Sequence, residues 1–271
     1  MKKVTVLMLI SLFFNALKAQ ITLSYKVTDC KTGAPVPYVH IGIAEKNFGT
    51  TSNEEGYFIL NVPEKFVRDT LTISFVGYET KRLPISGIKS DIKLCPSDIQ
   101  LKEVTIKPKK EKILGRTKEG GNSMVGWLGN QQGYEIAGFI KNSKTVLAKK
   151  IGLYVSENSF DTLKILVTFY KANGNKVGEV INTKPLFWDA LSKVKGWLYY
   201  DLPKQIQVEG DFFVGLEIVK GIQNKGGERG LISLQGNYNL GKTTMYFRKT
   251  SQDTWRSEPL KMGLKVVVEV D

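Results

Sequence analysis

Apolar and polar residues alternate with a period of two along most of this chain, and that period predicts strands. Leu23, Tyr25 and Val27 alternate with polar neighbours, as in a half-buried strand. Val39, Ile41 and Ile43 repeat the pattern, then Tyr57 to Val62, then Leu71, Ile73 and Phe75, and finally Ile92 to Leu94 and Val104 to Ile106. Asn53 and Gly56 supply the positive-φ positions of a tight hairpin. Later strands are longer: Glu135–Ile140, Thr145–Tyr154, Leu163–Tyr170, Gly196–Asp201, Phe212–Ile218, Leu231–Gln235, Thr244–Arg248 and Leu264–Val270. A turn or two of helix is expected only near Trp188–Val194. The expected fold is all-β, with two tandem β-sandwiches. The first spans residues 20–106, and the second, at 123–271, has eight or nine strands in a jelly-roll-type arrangement.

Two segments fall outside this pattern. Met1-Lys2-Lys3, the apolar run Val4–Leu17 and small Ala19 follow the grammar of a secretory signal peptide over residues 1–19. The run is shorter than the roughly 20 residues of a spanning helix, so no transmembrane span is expected after cleavage. No cysteine follows the cut to carry a lipid. Residues 107–122 are rich in Lys, Pro and Gly, as expected for an exposed basic linker.

Six motifs then occur in order: Val27-x-Asp29, Thr32-Gly33-x-Pro35-Val36-Pro37, Gly49-Thr50-Thr51, Glu55-Gly56-Tyr57-Phe58, Phe75-Val76-Gly77-Tyr78 and Leu101-x-Glu103-Val104. The segment resembles the carboxypeptidase-regulatory-like domain of Bacteroidetes proteins, which often precedes the plug of TonB-dependent outer-membrane receptors. The resemblance implies a prealbumin-like seven-stranded sandwich. It also implies an accessory domain that accompanies metallocarboxypeptidases, not their catalytic domain. A second resemblance runs through Val167-x-Phe169-Tyr170, Asn173-Gly174, Gly196-Trp197, Asp201-Leu202, Glu209-Gly210-Asp211-Phe212-Phe213-Val214-Gly215 and Trp255. These residues are similar to galactose-binding-like jelly-roll modules, which bind glycans or stabilise a neighbour. No ligand residue maps onto this chain from that resemblance.

Composition narrows the chemistry. The chain has 271 residues, 42% hydrophobic and 24% charged, which is the balance of a folded protein. Its formal charge is +13 and stays strongly positive without Lys2, Lys3 and Lys18. For an exported protein that points to anionic lipid, lipopolysaccharide phosphate or acidic glycan rather than nucleic acid, or simply to a solvated surface. The 2 cysteines, Cys30 and Cys95, are either bridged or two separate buried thiols. The single histidine, His40, excludes any site that needs two imidazoles. With no His-x-x-Glu, the usual carboxypeptidase zinc site cannot form.

Other candidate chemistry is sparse. Gly236-Asn237-Tyr238-Asn239-Leu240-Gly241-Lys242-Thr243 matches the phosphate-loop pattern, but a strand follows it instead of a helix, so it reads as a glycine-rich hairpin. Asn53, Glu54 and Glu55 offer oxygen ligands for calcium but form a hairpin tip. Glu209, Asp211 and Glu217 are acids available to a two-carboxylate glycosidase. Nothing in the sequence pairs them, although a buried acid pair in a cleft would favour that reading. Of the four tryptophans, Trp127 and Trp197 read as core, whereas Trp188 and Trp255 fall in expected loops and are candidates for stacking on sugars.

The expected function is therefore a non-catalytic, exported cell-envelope scaffold or interaction module, with a carbohydrate-binding module as the alternative. No catalytic residue, cofactor or metal is expected. The expected partner is an envelope or outer-membrane protein, or a polysaccharide. The expected location is the periplasm, the outer-membrane surface or the extracellular space.

Overall fold

A computed structural model describes residues 20–97, 110–128, 131, 133–190, 193–222, 230–238 and 244–270. The expected leader, the motif Leu101-x-Glu103-Val104, the strand expected at Val104–Ile106 and residues 239–243 lie outside that set.

The first unit holds β1 (Gln20–Asp29), β2 (His40–Ile43), β3 (Phe48–Thr51), β4 (Tyr57–Pro63), β5 (Thr70–Ser74), β6 (Lys81–Pro84) and β7 (Ile92–Leu94). They form a three-stranded sheet, β4-β1-β7, and a four-stranded sheet, β3-β2-β5-β6. Val27, Leu60 and Val62 from the first sheet pack against Ile41, Leu71 and Ile73 from the second. Period-two alternation is complete on β4, where Phe58, Leu60 and Val62 are buried and Tyr57, Ile59 and Asn61 are exposed. Asn53 makes the preceding turn, its Oδ1 accepting from the backbone N–H of Glu55 at 3.1 Å and of Tyr57 at 2.8 Å.

β1 and β7 run parallel, so their C-terminal ends lie together. Cys30 and Cys95, one residue beyond each, are joined as a disulfide with Cα atoms 5.0 Å apart.

The second unit holds β8 (Lys110–Gly115), β9 (Ser123–Leu128), β10 (Glu135–Ile140), β11 (Thr145–Asn158), β12 (Thr162–Asn173), β13 (Lys176–Val180), β14 (Leu186–Ala190), β15 (Gly196–Glu209), β16 (Phe212–Ile222), β17 (Leu231–Tyr238), β18 (Met245–Arg248), β19 (Arg256–Glu258), β20 (Leu260–Met262) and β21 (Leu264–Val270). One seven-stranded sheet runs β13-β12-β16-β10-β18-β19, with β14 also on β12; we call it the docking sheet. The far sheet runs β20-β17-β11-β21-β8, with β15 on β11 and β9 on β17. Ile136, Phe169, Val214 and Leu216 from the docking sheet meet Ile151, Leu153, Val266 and Val268 from the far sheet in one core.

Three expectations change. The second sandwich is built from two seven-stranded sheets, more strands than the eight or nine expected, because several pieces of three to six residues carry too short an alternation to read. The helical turn expected at Trp188–Val194 begins as strand β14, paired along β12 from Leu163↔Ala190 to Val167↔Leu186. The linker expected at 107–122 contains β8, which pairs with β21 and sends Leu114 into the core. Its lysines had suggested a solvated connector. Lys110 and Lys112 instead stand on a charged strand at the sheet edge, where unpaired backbone would otherwise invite another chain.

In the oxidised chain, replacing both Cys30 and Cys95 by Ser should cost about 4 kcal/mol, the loop-closure entropy released over a sequence separation of 65. Urea unfolding of the two forms would measure it.

Candidate functional site

The outer face of the docking sheet is not solvated. On β12, Leu163, Ile165, Val167 and Phe169 face the sandwich core, yet the alternate residues Leu166, Thr168 and Tyr170 are buried too. Leu166 belongs to the core of the first unit, with Phe187 of β14 and Val219 of β16 packed beside it. The ring of Phe187 sits between Tyr38, edge-on at 5.5 Å, and Phe75, stacked at 6.4 Å. The four-stranded sheet of the first unit thus lies on the docking sheet, and apolar burial across the boundary holds it there.

A row of charge runs across the same face. Glu135 on β10 is in register with Arg248 on β18 and with Glu217 on β16. Both carboxylates are buried to 2% exposure. Arg248 donates to Glu135 Oε2 from Nε at 2.9 Å and from Nη2 at 2.6 Å. Tyr170 donates from its hydroxyl to Glu135 Oε1 at 2.8 Å. Gly215 makes that contact possible, since a Cβ there would meet both the Glu135 carboxylate and the Tyr170 ring. Burial alone would lower the Arg248 pKa, but Glu135, Tyr170 and Glu217 outweigh it and the net shift is upward. Tyr170 is pushed well above its ordinary value, by burial first and then by the Glu135 charge.

Glu217 takes its partner from the other unit. His40 Nε2 lies 2.7 Å from Glu217 Oε2, and Glu217 Oε1 is buried with no hydrogen bond. His40 occupies the face of β2 opposite the inward-facing Ile41. At the rim, Lys220 donates to Glu54 Oε2 at 2.6 Å, and Tyr38 donates to Glu54 Oε1 at 2.8 Å. Those two bonds hold the Glu54 carboxyl below its ordinary pKa.

Beside this contact the units part into a cleft of about 450 Å³. His40, Ser74, Phe75, Gly77, Tyr78, Thr80 and Ser97 line one wall, and Thr168, Tyr170, Asn182, Thr183, Arg248, Gln252 and Trp255 line the other. Gln252 Nε2 donates to Ser74 Oγ at 2.8 Å and so ties the walls together. Gly77, at φ +84°, ties them again: a Cβ there would stand 2.4 Å from the Thr183 carbonyl, so only glycine fits.

The residues singled out from sequence are dispersed. Trp188 is a core residue of β14, stacked on Tyr200 at 5.5 Å. It read as a loop residue because Leu186-Phe187-Trp188-Asp189-Ala190 is too short a run to show its period, and burial removes it from any sugar. Trp255 lines the cleft, with the Arg248 guanidinium 4.5 Å over its ring and Tyr170 edge-on at 5.7 Å. Trp127 is buried and donates from Nε1 to the Tyr134 carbonyl at 3.1 Å. Trp197 was expected in the core but is only partly buried on the outer face of the far sheet, with Lys265 Nζ 3.6 Å over its ring.

Glu209 is exposed at the end of β15, and Asp211 accepts from the Asn142 backbone N–H at 2.7 Å. Glu217, the third acid singled out, is instead buried beside Glu135, and sequence reading missed both Glu135 and the pairing. Each acid of that pair has a basic partner, Arg248 for Glu135 and His40 for Glu217, and neither acid lines the cleft. Gly236 to Tyr238 continue β17, and the rest of the phosphate-loop pattern falls outside the described residues. No group of three metal-ligating side chains occurs among the described residues.

Comparison with known proteins places the first unit in a class. Residues 23–106, which hold the first unit, match the family model of the CarboxypepD_reg-like domain. No curated protein matches the chain. Among solved structures, the chain is similar to the cysteine protease and lectin-like domains of Cwp84, a surface layer associated protein of Clostridium difficile. That match has 9% identity and a TM-score of 0.43, over 59% of this chain and 36% of that one. It is also similar to a structure from infectious bursal disease virus Gx strain, with 10% identity and a TM-score of 0.24, over 92% of this chain and 60% of that one.

Two predictions follow from the charges at the junction. His40→Leu should cost about 3 kcal/mol by stranding the Glu217 carboxylate, whereas His40→Leu with Glu217→Leu should recover most of it; urea unfolding of the three proteins would measure both. Because the folded pKa of Glu54 is lowered, its contribution is complete above the ordinary carboxylate value and is lost as pH falls through the lowered one. Below about pH 4 the Glu54→Gln variant should therefore show a slightly weaker acid dependence of Tm than the parent, by the small amount expected of an exposed pair.

Proposed function

We propose that this chain is a non-catalytic interaction module of the cell envelope, exported by its first nineteen residues. One observation carries the reading. The first unit is clamped by the second on its four-stranded sheet, and the outer face of its three-stranded sheet is left open. Tyr57 and Ile59 stand there at 53% and 62% exposure. Apolar side chains this exposed on a rigid sheet suit a protein partner. The match of residues 23–106 to a regulatory, non-catalytic domain family supports the same reading.

A second reading, binding of carbohydrate, is favoured by the place of Trp255 on the wall of the cleft.

A photo-cross-linker at position 59, in the native envelope, should give one dominant protein adduct. Ile59→Glu should abolish the equivalent adduct formed from position 57 while leaving Tm unchanged. Absence of any adduct from either position would overturn the scaffold reading. Mass spectrometry of the exported protein should find Gln20 at its N-terminus.

A further inference from the structure

We propose that the cleft between the two units binds an uncharged saccharide, one ring of which stacks on Trp255. The proposal rests on the carbohydrate reading above and deepens it by naming the site and the class of sugar.

Charge accounting comes first. Apart from the phenols of Tyr78 and Tyr170, three side chains that can carry charge line the cleft, and each has a partner. Arg248 is held by Glu135 at 2.6 Å, His40 by Glu217 at 2.7 Å and Glu179 by Lys171 at 3.7 Å. An anionic or cationic ligand would meet no unpaired buried counter-charge, since Glu179, the one largely exposed charge, lies 3.7 Å from Lys171 at the rim. The chain's large positive charge is therefore not expressed in this hollow.

What the cleft offers instead is hydroxyl groups beside an aromatic ring. Thr80, Ser97 and Thr183 line it, and none makes a side-chain hydrogen bond to another described residue. They remain free to donate to or accept from a ligand. Trp255 is only partly buried, with the Arg248 guanidinium over its ring at 4.5 Å and Tyr170 edge-on at 5.7 Å. A sugar ring has an apolar C–H face and a rim of hydroxyls, which matches an indole bordered by hydroxyl groups. A volume of about 450 Å³ lies in the range of small-ligand sites, and such sites favour domain boundaries.

Both walls are needed. Thr80 and Ser97 come from the first unit, Thr183 and Trp255 from the second. The site exists only while Gln252–Ser74 and Gly77–Thr183 hold the units together.

The test uses the full chain on an array of neutral and acidic oligosaccharides at low and high salt, followed by calorimetry on the ligands found. Saturable, salt-insensitive binding to a neutral oligosaccharide is expected. Trp255→Ala should weaken it roughly tenfold or more, a loss of about one stacking contact. Thr80→Trp, a change at an exposed rim position that fills the cleft without touching either core, should abolish it with Tm preserved. Trp197→Ala should leave it unchanged. Neutral-sugar binding that survives both cleft variants would overturn the proposed site while leaving the carbohydrate reading intact. Binding confined to acidic polymers and lost at high salt would overturn the proposed ligand class. Absence of binding to every glycan would overturn the site and the carbohydrate reading together.

Discussion

Two neighbouring carboxylates on a sheet face that excludes water set the terms for the rest of this molecule. A buried carboxylate costs several kcal/mol unless a cation and hydrogen bonds meet it. Glu135 finds both within its own sheet, from Arg248 and Tyr170. Glu217, on the adjacent strand, feels Arg248 through space but has no direct partner there. Its direct partner is the only histidine in the chain, carried by the other unit. The position of the first unit is thus fixed by a buried polar contact as well as by apolar contact, because a shift of one register along β16 would take Glu217 away from His40.

Apolar burial and polar specificity divide the work at this junction. Leu166, Phe187 and Val219 supply the non-directional attraction. His40, Glu54 and Gln252 supply direction, His40 meeting Glu217, Glu54 meeting Lys220 and Lys164, and Gln252 meeting Ser74 and the Glu45 backbone across the boundary. A cleft forms where the apolar contact ends, and its walls meet at Gly77 at one place and at Gln252 at another. Binding surface and junction are therefore one structure, in which the contacts that join the units also shape the hollow between them.

Much of the fold could be read from the chain. The long strands show their period because each buries one face in a sandwich core, and the turns show their Asn and Gly. The short strands β8, β13, β14, β19 and β20 could not be read, since a run of three to six residues shows too few alternations, and lysines on an edge strand look like those of a linker. The junction left a trace that period alone does not decode. On β12 and β16 the supposed outward positions hold Leu166, Tyr170, Phe213 and Val219, too apolar for a solvated face. Gly215, within the apolar run Phe212–Ile218, marks a close approach of other side chains. Trp255 was legible as a non-core aromatic. Trp188 was not, because its inward direction depends on a pairing with β12 that begins more than twenty residues earlier.

The shared core at Leu166 also bears on how such a chain can be inherited. A domain that recurs in many proteins is usually thought of as a cassette, cut at its ends and moved whole. Here the cassette's hydrophobic interior is completed by a leucine from the next domain, and its histidine answers an acid that it does not own. Moved alone, it would carry an apolar gap and an unmatched imidazole to its new host. The two sandwiches are matched to each other at this boundary, in packing and in polar contact, despite their separate folds.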